Sequence, residues 1–140
     1  MLNTIEKLME KKKIYIEHPL KSKSANIIWQ AISTEGGLAK WIADNVQQFG
    51  DTFEFMWGAP WAHHETRKAH IINKVKNKYI QLEWDDEDEP GAFLEMRMTK
   101  NDLTGDYVLH ITDFAYDEDV EWLHSIWDRN FEAMWRTMGI

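Results

Sequence analysis

The stretch MWGAPWAHHET, Met56 to Thr66, sets His63, His64 and Glu65 side by side next to Trp57 and Trp61. Imidazoles and carboxylates are the groups that ligate metals and move protons near neutral pH. In an extended segment neighbouring side chains point to opposite sides, so His63 and Glu65 share a side while His64 faces away. Zinc requires three or four protein ligands, and the H-E-x-x-H spacing is missing. The expectation is therefore no metal and no cofactor, with these histidines at a loop or rim. Two further histidines are weak candidates for general acid-base work. His110 sits in YVLHITDF with Val108, Thr112 and Phe114 on its side, and His124 follows Leu123 in the last helical segment. Either can act on a bound molecule only if it faces the interior. The plainer reading puts His110 on an outer sheet face and His124 at a helix border.

Other chemistry has less support. The chain contains no cysteine, which removes disulfides, thiolate metal sites and thiol nucleophiles. No Gly-x-Ser-x-Gly or Ser-His-Asp arrangement marks a hydrolase. The run DDEDE, Asp85 to Glu89, lacks the spaced calcium-loop pattern and reads as a solvated hairpin turn closed by Pro90 and Gly91. Asp117, Glu118, Asp119 and Glu121 have a separate task, since negative charge at the start of a helix complements its dipole.

The elements that must position these groups follow from periodicity. In KKIYIEHPL, Ile14 and Ile16 alternate with Tyr15 and Glu17 as a strand that stops at Pro19. Ser24 then caps a helix carrying Ile27, Ile28, Ala31 and Ile32 at helical spacing, with Trp29 beside them. Thr34 caps a second short helix over EGGLAKWIAD, whose first turn Gly36 and Gly37 weaken. A hairpin follows from Asn45 to Trp57 about Gly50-Asp51. Four more strand-like runs come next: TRKAHIINKV, KYIQLEW, AFLEMRMT and GDYVLHITDF. Ile80, Leu82 and Trp84 share one face of their strand, and Leu94, Met96 and Met98 share one face of theirs. An antiparallel sheet with one apolar face needs a cover. Val120, Leu123, Trp127, Phe131, Met134 and Met138 supply it on a final helix, widened by Ile126 and Trp135. About twenty helical residues span ~30 Å, enough to cross a sheet.

Bulk properties agree with one domain over residues 1–140, of which 1–11 form a charged N-terminal flank. A chain of 140 residues can bury roughly 70% of its unfolded surface. Its 44% hydrophobic content and eight tryptophans exclude a disordered chain. A net charge of −8 argues against nucleic acid as a partner. No run of ~18 apolar residues predicts a membrane span, and MLNTIEKLMEKKK lacks a signal-peptide core, so a cytoplasmic location is expected.

The element order matches the helix-grip fold, an α+β architecture in which a curved antiparallel sheet wraps a long C-terminal helix. ANIIWQAISTEGGLAKWIAD resembles the START-like (SRPBCC) superfamily signature at Trp29, Ala31, Ile32, Ser33, Thr34, Gly37, Leu38 and Trp41. The branch it most resembles is that of activators of the ninety-kilodalton heat-shock chaperone ATPase. GDTFEFMWG resembles that family's Gly-Asp-x-Phe hairpin, and DLTGDYVLHITDFA its late strand. The resemblance implies an apolar cavity between sheet and helix. It leaves three functions open, because members of one fold do different things. The first is binding of a small hydrophobic molecule, with Phe55, Trp57, Trp61, Trp84, Met96, Met98, Trp127, Phe131 and Trp135 as candidate lining. The others are a chaperone-cofactor or protein-interaction role, and a polyketide cyclase or aromatase activity using His110 or His124. If these bulky side chains fill the interior rather than line it, nothing binds there.

Overall fold

Alternation of buried and accessible side chains runs through the strands of a computed structural model, which describes residues 10–140. Apart from Glu10 and Lys11, the charged flank expected at 1–11 lies outside the described residues. Strand β1 (Lys12–Pro19) is followed by helices α1 (Ala25–Ser33) and α2 (Glu35–Leu38). Then come β2 (Asn45–Phe49), β3 (Thr52–Trp57), β4 (Glu65–Val75), β5 (Tyr79–Trp84), β6 (Leu94–Lys100) and β7 (Tyr107–Ala115). A single 3-10 turn (Asp117–Asp119) leads into α3 (Val120–Met138). The seven strands form one antiparallel, curved sheet in the order β1-β7-β6-β5-β4-β3-β2, so every pair but β1 and β7 is a hairpin neighbour. This is the helix-grip fold expected from the sequence.

Period-2 patterning sets the register. Phe53 and Phe55 on β3, Ile80 and Leu82 on β5, Leu94, Met96 and Met98 on β6, and Leu109 and Ile111 on β7 are all buried on one face. Trp127, Phe131 and Met134 of α3 come down on that face, four and three residues apart. Polar contacts pin the helix: the Thr137 hydroxyl donates to the Lys40 carbonyl at 3.0 Å, and the αL residue Gly139 closes the C-terminus.

The caps expected at Ser24 and Thr34 form, accepting from the Ile27 and Gly37 amides at 3.3 and 3.0 Å. Helix α2, however, is a single turn rather than the ten residues of EGGLAKWIAD. Beyond Leu38 the chain continues in turns that bury Trp41 and Ile42. Gly37 packs its α-carbon against α1, where a Cβ would lie 1.9 Å from the Gln30 carbonyl oxygen. The Trp41 indole reaches back to the Ala31 carbonyl at 2.8 Å, and tertiary packing overrides the helical pattern.

Candidate functional site

Antiparallel connectivity gathers the chemistry-bearing loops at one end of the sheet. Trp57 ends β3 and pairs with Glu65 at the start of β4, Trp84 ends β5, and Ala115 ends β7 beside the entry to α3. The 58–64 loop, the 85–93 loop and the first turn of α3 therefore share a rim.

Deep in the grip the interior is closed. Phe55, Leu82, Met96, Leu109 and Ile111 are 0% exposed, which leaves no water-sized space against them. Among the candidate lining residues, Phe55, Met96, Met98, Trp127 and Phe131 are thus packed core. Trp57 and Trp84 keep part of their surface at the rim. Their rings stand 6.4 Å apart by centroid, and the Phe55 ring lies 6.0 and 5.2 Å from them. The indole N–H of Trp57 donates to the Ile42 carbonyl at 2.9 Å, which fixes that ring.

Two residues assigned to the lining lie elsewhere. Trp61 is 87% exposed and lines an open cleft of about 510 Å³ with Asp44, Asn45, Met56 and Pro60, on the face of β2 and β3 opposite Phe55. Trp135 is 54% exposed on the outer side of α3, with the Lys21 ammonium 6.0 Å from its ring. Helical spacing widened the stripe too far at this position, since Met134 takes the buried place. Gly58 shapes the loop before Trp61: its φ is +94°, its amide donates to Asp44 Oδ2 at 2.6 Å, and a Cβ would meet the His63 carbonyl at 2.7 Å.

The histidines stay outside the grip. His63 and His64 are exposed, with His64 Nδ1 2.9 Å from the Ala62 carbonyl. Among the described residues no group of three histidine, aspartate or glutamate side chains could hold a metal ion. His110 lies on the outer sheet face between the Tyr15 hydroxyl and Thr99 Oγ1, the latter at 2.7 Å. His124 is exposed on α3. Neither faces the interior.

Polar groups on the inner face come instead from residues that a search by hydrophobicity passes over. Arg67 shares the parity of buried Ala69. Its guanidinium lies 4.0 Å from the Trp84 ring centroid and donates twice to Asp86, at 3.0 and 2.8 Å. Asp113 shares the face of Leu109 and Ile111. Its Oδ2 accepts the Trp127 indole N–H at 3.0 Å and its Oδ1 the Phe114 amide at 2.8 Å. Burial pushes the Asp113 carboxyl up to about 6, against the lowering effect of those two donors and of Arg67. A third group is His18, on the side of Ile14 and Ile16, stacked on Phe131.

DDEDE is the exposed hairpin connection expected, but its carboxylates are partnered. Asp86 pairs with Arg67, Glu87 with the Lys11 ammonium, and Asp88 with Tyr116, while Asp85 lies 3.2 Å from His70 Nδ1. Partners drawn from the residue before β1, from β4 and from the segment after β7 offset the self-repulsion that the run suggests.

A family model described as a START-like superfamily domain matches residues 8–140. The chain belongs to the START-like superfamily. The signature residues of this START-like chain have visible tasks: Trp29 and Ile32 are core, Thr34 caps α2, Gly37 admits α1, and Trp41 anchors both. A Bacteroides fragilis protein, BfR322, is 39% identical over 92% of each chain, with a TM-score of 0.62. The Aha1 dimer from Colwellia psychrerythraea is 15% identical, covers 91% of this chain and 98% of its own, and has a TM-score of 0.68. CalU16 from Micromonospora echinospora is 12% identical over 89% and 74%, with a TM-score of 0.63. The last two likenesses are of fold alone. Among curated proteins there is no match to the chain. No helix among the described residues is long and apolar enough to cross a membrane.

Proposed function

We propose that this START-like domain binds a small hydrophobic molecule at the rim of the grip, against Trp57, Trp84 and the N-terminal half of α3, without catalysing a reaction on it. The observation that carries the reading is the contrast along the inner face. Its depth is filled, whereas two large indoles stay partly uncovered at the one end where Arg67 and Asp113 supply polar atoms. Apolar walls with a few placed polar groups are what small-molecule sites are made of. His110 lies on the outer sheet face and His124 is exposed to solvent on α3, which favours binding over turnover.

Titration with a panel of apolar small molecules, followed by tryptophan fluorescence and thermal melting, tests the proposal. A ligand at about 100 times its dissociation constant stabilises the fold by about 2.7 kcal/mol, which raises Tm by several degrees in a chain of this size. Trp57→Ala and Trp84→Ala should each weaken that response. No shift with any member of the panel would overturn the reading.

A second reading is favoured by exposed indoles. Trp61 and Trp122, 87% and 64% exposed, stand at the same end of the molecule, as expected of a surface that meets a protein. The chaperone-cofactor role is one form of it. Titrating the ninety-kilodalton heat-shock chaperone while recording amide shifts should move the resonances of both indoles, and unmoved indoles would remove it.

A further inference from the structure

Resting on the hydrophobic-ligand reading above, we infer that the ligand class is a cationic amphiphile: an apolar body bearing a protonated amine, with the ammonium received by Asp113 among the rim tryptophans. The charge balance of the site points this way. Both Asp113 oxygens accept neutral N–H donors, from Trp127 and from Phe114. Among the described residues no lysine, arginine or histidine lies within ion-pair distance of this carboxylate.

The cations nearby are already matched. Arg67, on the same sheet face and acting on Asp113 through its charge, holds Asp86 through two hydrogen bonds while stacked on Trp84. Lys11 is shared by Glu87 and Asp88, and Lys12 pairs with Asp117 at 2.6 Å. Glu87 is the second charged group that acts on Asp113, and its sign matches. Asp113 is thus, among the described residues, a partly buried inner-face carboxylate with no ion-pair partner, on the same face as the partly uncovered ring of Trp57, and an indole face attracts positive charge.

The surroundings select in the same direction. The 85–89 loop and the 117–121 segment place carboxylates around the rim, so an anionic head group approaches against the local field while an ammonium approaches with it. A hydroxyl head could donate to Asp113 but would gain nothing from that field. Pairing also requires the ionised carboxylate. With Asp113 raised to about 6, amine binding is therefore strongest at pH 7 and above. It weakens about tenfold at pH 5, where only about one molecule in ten has Asp113 ionised.

Octylamine, octanol and octanoate share one apolar body and differ only in the head group. Measured by tryptophan fluorescence at pH 7.5 on the full chain, octylamine should bind at least about tenfold more tightly than the other two. Its affinity should fall at pH 5, and in Asp113→Asn the ratio of amine to alcohol affinity should drop towards one. The pH comparison uses the unaltered protein, so it stands even if the variant folds poorly. Octanol or octanoate binding as well as octylamine overturns the cationic assignment and leaves the hydrophobic-ligand reading intact. Binding of none of the three overturns both.

Discussion

The imidazole of His18 lies parallel to the phenyl ring of Phe131, with centroids 4.1 Å apart and an interplanar angle of 0°. Burial holds His18 below the usual histidine value, opposed by the charge of Asp128. A histidine whose pKa is lower folded than unfolded binds its proton more readily in the unfolded chain. Its contribution is therefore present above the unfolded value of 6.5 and is lost as pH falls below it. His18→Phe should flatten the acid side of the stability profile, read as urea midpoints between pH 7.5 and 5. A variant as acid-sensitive as the wild type would remove His18 as the cause.

Asp113 works with the opposite sign. Its folded value of about 6 lies above the ordinary 3.8, so its contribution to stability is fully present below the latter and is lost as pH rises through the former. The full shift corresponds to about 3 kcal/mol, an upper bound. Asp113→Asn should therefore stabilise the protein at pH 8 by about 1–2 kcal/mol, the remainder lost because an amide N–H₂ would face the Phe114 amide. The gain should vanish at pH 4. Chemical denaturation at the two pH values measures it, and an equal effect at both would show that Asp113 does not titrate as described.

These opposed titrations show what the sequence held and what it hid. Leu109 and Ile111 mark the inner face of β7, so Asp113 stands there by parity alone. Ala69 likewise marks Arg67, and Ile14 and Ile16 mark His18. Reading faces only for their apolar members discards that signal. The strands and the long helix were legible because their patterns are local, whereas the Trp127–Asp113 hydrogen bond exists only once α3 has docked on β7. For the same reason Trp135 read as lining: spacing gives the stripe, but only docking tells which edge of it is covered.

Gly36 and Gly37 are adjacent in sequence and opposite in tolerance. A Cβ at Gly36 meets nothing within 4 Å, while at Gly37 it would overlap the Gln30 carbonyl at 1.9 Å. Gly36→Ala should therefore stabilise by about 0.5–1 kcal/mol through the unfolded chain. Gly37→Ala should destabilise by more than about 2 kcal/mol, because backbone of α1 must move. Thermal melts of the two variants separate these outcomes, and similar values for both would contradict the close approach of α1 and α2.

Trp41, in the turns after α2, ties α1 to α3. Its indole N–H donates to Ala31 of α1 at 2.8 Å, and its ring lies 5.8 and 6.2 Å from Trp127 and Phe131 of α3. Trp41→Phe keeps an aromatic surface but leaves the Ala31 carbonyl without its donor and a gap where the second ring stood. A loss of about 2 kcal/mol is expected, rising to about 3–5 kcal/mol for Trp41→Ala. Because α3 rests on this ring, the alanine variant should also change the near-UV circular dichroism that Trp127 contributes. If α3 were held mainly by its own contacts with the sheet, Trp41→Ala would lower stability while leaving the Trp127 signal intact, so the spectrum decides which contact positions the helix.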